Sequence, residues 1–136
     1  MFKNKVLLIF FCLFTYITNG QTFGDSTIKN DIEIFYTVEN PPEFPGGIKG
    51  LYNFIADNLN KPTDVSSNIL RKYIILKIII NKEGKVVFAE VEKGINYNYN
   101  KKAIDLIKKM PVWLPAKQNG KPVYFYQFIP IVFVDG

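Results

Sequence analysis

Few side chains in this sequence could do covalent chemistry. The 136 residues include no histidine. That removes the usual general base near neutral pH and the commonest metal ligand. The one cysteine, Cys12, lies inside an apolar N-terminal run, so the rest of the chain has neither a thiolate nucleophile nor a zinc–thiolate set. Two carboxylate pairs remain. Glu39 and Glu43 flank a proline-rich loop, and Glu90 and Glu92 alternate along one strand face. Such pairs do acid–base work only in a cleft that tunes their pKa values, and at this spacing they read as solvated surface. Pro45-Gly46-Gly47 lacks the lysine and hydroxyl of a phosphate-binding loop, so it reads as a turn. Lys101-Lys102 and Lys108-Lys109 read as a solvated helix face. Trp113, the single tryptophan, reads as a packing residue. The expectation is no catalytic residue, no metal, no cofactor and no small-molecule substrate: a binding protein, not an enzyme.

The first twenty residues stand apart from the rest. Lys3 and Lys5 precede an apolar run, Val6 to Ile17, and Thr18-Asn19-Gly20 follows it. That layout is a secretory signal peptide over residues 1–20. The run is shorter than the roughly 20 residues of a membrane-spanning helix; the alternative reading is an inner-membrane anchor through residues 6–18. Removing Lys3 and Lys5 leaves 15 basic and 12 acidic residues, a net charge of +3, too mild a balance to suggest a nucleic-acid partner. Export without disulfides is compatible with a bacterial envelope. The expected organisation is a signal peptide 1–20, a flexible leader 21–31 and one domain over 32–136.

The elements that would position a binding surface follow from periodicity. Ile32, Ile34, Tyr36 and Val38 alternate with Glu33, Phe35, Thr37 and Glu39 and suggest a short extra strand over 32–38. Three prolines between Pro41 and Pro45 stop it. Ile48, Leu51, Tyr52, Ile55 and Leu59 recur at helical spacing, which predicts a helix over 47–59 capped by Gly47. A polar connection over Pro62 to Asn68 leads to a β-branched run over 71–81. There Ile74, Leu76 and Ile78 share one face, beneath Ile104 and Ile107 of a later helix. Asn81 to Gly84 turns the chain into a second strand, 86–92. A second helix over 100–110, capped by Asn100, carries Ala103, Ile104, Ile107 and Met110. The last strand, 123–134, contains Pro130, which cannot donate a ladder hydrogen bond and so marks an edge strand. The fold class is α+β: two layers, with a mainly antiparallel sheet of three core strands (71–81, 86–92, 123–134) and two helices (47–59, 100–110) on one face. If Val123, Phe125, Ile129, Ile131 and Phe133 face the core, Tyr124, Tyr126, Phe128, Pro130 and Val132 face outward. Tyr73, Ile75 and Phe88 would extend that surface.

Three motifs in this order carry a family resemblance. Asn40-Pro41-Pro42-Glu43-Phe44-Pro45-Gly46-Gly47 precedes a helix. Tyr73 to Gly94 forms a hairpin about Asn81-Lys82-Glu83-Gly84-Lys85. Met110-Pro111-Val112-Trp113-Leu114-Pro115-Ala116-Lys117-Gln118-Asn119-Gly120-Lys121-Pro122-Val123 leads into a strand ending Ile129-Pro130-Ile131-Val132-Phe133. Together they resemble the C-terminal domain of TonB-family energy transducers of the Bacteroidetes type. The resemblance implies a periplasmic domain that engages an outer-membrane TonB-dependent transporter, or another envelope protein. It would capture a short transporter segment as an added strand beside its own last strand, which here puts the partner-binding residues at Tyr124, Tyr126, Phe128, Pro130 and Val132. A leader of about ten residues is too short to cross a compartment, so the resemblance carries the binding domain rather than energy transduction. The alternative is a self-associating structural envelope protein, for example a homodimer, that uses the same edge or the outer sheet face.

Overall fold

A computed structural model describes residues 22–59 and 71–134. Two helices and the three expected strands are present, together with elements that the periodicity did not reveal. The strand Arg71–Ile80 (β3) is the centre. It pairs antiparallel with Val86–Lys93 (β4) on one side and with Tyr124–Val134 (β7) on the other. The β3–β7 ladder runs without interruption from Arg71 opposite Val134 to Ile80 opposite Phe125. Thr22–Gly24 (β1) adds antiparallel to β4, and Ile34–Phe35 (β2) adds parallel to β7. The sheet is therefore mixed, in the order β1-β4-β3-β7-β2, and a separate ribbon pairs Lys117–Gln118 (β5) with Lys121–Pro122 (β6). A four-residue helix, Ile28–Asp31 (α1), lies between β1 and β2. The two longer helices are Gly47–Asn58 (α2) and Tyr97–Ile107 (α3).

The core forms where the period-two faces of β3 and β7 meet α3. Ile74, Leu76, Ile78 and Ile80 are buried together with Ile129, Ile131 and Phe133, beneath Ala103, Ile104 and Ile107. Burying each of these larger side chains contributes about 1.5–3 kcal/mol relative to exposure. Lys72 follows the same inward phase and is buried; its ammonium lies over the Tyr99 ring, 4.6 Å from the centroid.

Several expectations need correction. Residues 21–31 read as a loose leader, yet Thr22–Gly24 pairs with Glu90, Ala89 and Phe88, and Phe23 packs against the core. One inward aromatic ring in a polar segment is too weak a periodic signal to read. The extra strand over 32–38 shrinks to Ile34–Phe35, because Tyr36 already leaves the sheet. On α2, Ile48 and Tyr52 are exposed, while Phe54 joins Leu51, Ile55 and Leu59 on the packed face. Phe54 is drawn inward by Phe44, whose ring lies 5.5 Å away. The cap of α2 is Gly46, not Gly47; both have positive φ, which costs glycine little. The second helix begins at Tyr97, three residues early. Asn96 caps it by accepting from the Tyr99 amide, while Asn100 is buried within the helix and accepts from the Ile95 amide. It ends at Ile107 in a tightened turn before Pro111.

In β4 the alternation is broken. Ile79 faces Phe88 and Ile80 faces Val86, so Val87 is an extra residue. Phe88, placed on the open face by simple alternation, is buried there. The polar connection at 62–68 and the signal segment 1–20 lie outside the described residues.

Candidate functional site

The proline loop and the tryptophan connector, far apart in sequence, form one support beside β7. Asn40 and Lys117 exchange backbone hydrogen bonds of 3.1 and 2.9 Å, and Glu43 and Leu114 exchange bonds of 3.0 and 2.8 Å. The Phe44 ring meets Trp113 edge-on at 5.2 Å, and the Trp113 amide donates to the Gly84 carbonyl at 2.8 Å. A β-carbon on Gly84 would fall 1.8 Å from the Trp113 carbonyl oxygen, so only glycine permits this approach. Both motifs thus anchor the turn that feeds Tyr124 into the sheet. Between them lies a shallow groove of ≈ 570 Å³ lined by Glu43, Phe44, Gly46, Trp113 and Leu114.

One carboxylate of each sequence pair, Glu39 and Glu90, has a structural task. Glu39 accepts from the Asn119 amide at 3.3 Å, which ties the β5–β6 turn to the chain before the loop. Glu90 lies 3.0 Å from Lys29 and 3.3 Å from Lys77. Burial raises the Glu90 pKa, but the hydrogen bonds and charges of Lys29 and Lys77 outweigh it and hold the carboxyl below its ordinary range. Burial likewise depresses Lys77, and Glu90 more than restores it, so the ammonium is stabilised. Asp105 lies 3.2 Å from Lys101 and 3.8 Å from Lys108, at the surface of α3. Among the described residues no cluster of three or more potential metal ligands occurs.

The outward residues of β7 form one row, divided into a covered end and a bare end. Tyr124 pairs with Ile34. The Tyr126 ring is stacked by Tyr36, centroids 4.5 Å apart and planes at 24°, with the Lys77 ammonium 4.9 Å from its centroid. Burial and the neighbouring Tyr36 push the Tyr126 hydroxyl pKa up. Lys29 lies 4.2 Å over the Phe88 ring, and Ile79, opposite both Phe88 and Tyr126, is fully buried. The segment 22–36 therefore covers this end. Further along, Phe128 is 42% exposed, Val132 47% and Tyr73 43%, and Pro130 is exposed between them. Inward, Gln127 is half-buried and donates to the Phe128 carbonyl at 3.1 Å. Among the described residues no strand pairs with the outer rim of β7 beyond Phe125.

Sequence reasoning grouped Tyr124, Tyr126, Phe128, Pro130 and Val132 correctly as one face. It missed Tyr36 and the Lys29–Glu90–Lys77 cluster, since only the tertiary fold brings residues 29–36 over the sheet. No described helix is long and apolar enough to cross a membrane. Comparison with known proteins returns one family: residues 70–134 match the model of the Gram-negative bacterial TonB protein C-terminal. Neither the curated proteins nor the solved structures yield a match.

Proposed function

We infer that this chain, whose residues 70–134 belong to the TonB C-terminal family, is a periplasmic protein-binding module linked to TonB-dependent transport. In this reading it captures an extended segment of an outer-membrane transporter as a strand added beside β7. The observation that carries the reading is the β7 rim past Phe125, which no strand among the described residues pairs, next to exposed Phe128, Pro130 and Val132. Tyr124 to Val134 includes no charged residue, and charge is a common device by which proteins protect such a rim from unwanted pairing. Main-chain groups there would supply affinity and the alternate apolar side chains selectivity.

The test is photo-crosslinking in cells from a benzophenone side chain at position 128, with position 52 on the far helix as control. Recovery of outer-membrane transporters from position 128 alone is the expected result. Crosslinks only to a second copy of the chain would favour the self-associating alternative. Equal recovery from both positions would reject this edge and direct attention to the groove around Phe44.

A further inference from the structure

The lane beside β7 is already occupied at one end. β2 runs in it, with Ile34 opposite Tyr124 and Phe35 opposite Phe125. One residue later the chain leaves the sheet, and Tyr36 stacks on Tyr126. Tyr36 follows Phe35 directly, and its ring lies 4.5 Å from that of Tyr126, so it stands at the end of β2 beside the next residue of β7. Tyr36 is 58% exposed, so burial contributes little to holding its ring there. The stack on Tyr126 supplies the hold, and Tyr126 is steadied from another direction by Lys77, itself paired with Glu90.

We propose that β2 and Tyr36 form a stop that sets the register of strand addition, so that a partner strand can pair only with Gln127 to Val134. This rests on the strand-addition reading above and adds to it the partner's length, chemistry and local path. Eight residues of strand span about 26 Å. The partner is an uncharged extended peptide of at most that length. Its outward side chains are apolar, because they lie against Phe128 and Val132, with Tyr73 one strand further in. At the Tyr36 end the partner chain must terminate or bend away from the sheet. Tyr36 is a specificity-determining residue in this arrangement: it limits which segments fit and prevents a one-residue slip, which would turn every partner side chain to the opposite face.

The probe is a synthetic peptide of twelve alternating threonine and valine residues with a two-lysine tail, longer than the free lane. Residue-resolved amide exchange is measured with and without it. In wild-type protein, lane-facing amides within Gln127–Val134 should slow by about tenfold or more on peptide addition, with the β2 amides that bond to β7 unchanged. In Tyr36→Gly the peptide should invade, and those β2 amides should lose protection by a similar factor. Tyr36→Phe, which keeps the stack, should behave as wild type. Loss of β2 protection in wild type, or wild-type behaviour in Tyr36→Gly, overturns the stop while strand addition stands. No slowing at any β7 amide in any variant means that strand addition itself fails, which is a separate result.

Discussion

Glu90 joins two parts of the chain that sequence reading kept apart. Its carboxylate lies on the outer sheet face between Lys77 of β3 and Lys29 of α1. Because its pKa is depressed in the folded protein, the unfolded carboxyl takes up a proton first as the pH falls from 4.5. The stabilisation is therefore complete above the unfolded value and is lost as pH drops through the lower folded one. Glu90→Gln should cost on the order of 1 kcal/mol at neutral pH, given partly exposed partners. It should also flatten the acid limb of the stability profile, so that wild type and variant converge at low pH. Urea titrations between pH 2 and 7 check this. Parallel acid limbs would mean that Glu90 carries none of the acid sensitivity. Nothing in the spacing of Glu90 and Glu92 announced the cluster, because Lys29 is 61 positions away.

Helix α2 separates what periodicity can show from what packing decides. The i, i+3, i+4 pattern located the helix within a residue of its ends but put Ile48 and Tyr52 on the buried face. Leu51, Phe54, Ile55 and Leu59 are the residues that pack. Both faces of this helix carry apolar residues, so the pattern admits more than one rotation, and the Phe44 ring selects the one that brings Phe54 inward. Ile55→Ala should accordingly cost about 2–5 kcal/mol, and Ile48→Ala less than about 0.5 kcal/mol. Chemical denaturation distinguishes them; similar losses at both positions would place Ile48 in the core. The caps of α3 show the same limit. Asn96 and Asn100 are equally good capping types, and burial of Asn100 against Gly94 decides between them.

Across the whole molecule, the segment 22–36 contributes a short strand to each edge of the sheet. β1 covers the outer rim of β4, β2 covers the start of the β7 rim, and residues between them lie over Phe88. Without this segment, β4 becomes an edge strand and the rings of Phe88 and Tyr126 lose their cover. A chain that begins at Thr37 should therefore aggregate or oligomerise at concentrations where the longer chain stays monodisperse. Size-exclusion chromatography with light scattering checks this. Unchanged behaviour would show that the segment is dispensable for the fold.

The sequence by itself determined the α+β class, the two main helices, the three long strands and the inward phase of β3 and β7. Each rests on local periodicity, on prolines that cannot donate, or on glycines that permit turns. The absence of histidine and of any cysteine beyond Cys12 likewise narrowed the side chains available for chemistry before any fold was known. The grouping of Tyr124, Tyr126, Phe128, Pro130 and Val132 on one face was legible too, because alternation along a strand is geometric. Which of those residues remain accessible was not. Tyr124 is paired by β2, Tyr126 is stacked by Tyr36, and Phe88 lies beneath Lys29, while Phe128 and Val132 stay exposed. That division depends on contacts between residues about 60 to 90 positions apart, and only the tertiary structure decides those, because no local preference encodes where a short polar segment comes to rest on a distant sheet.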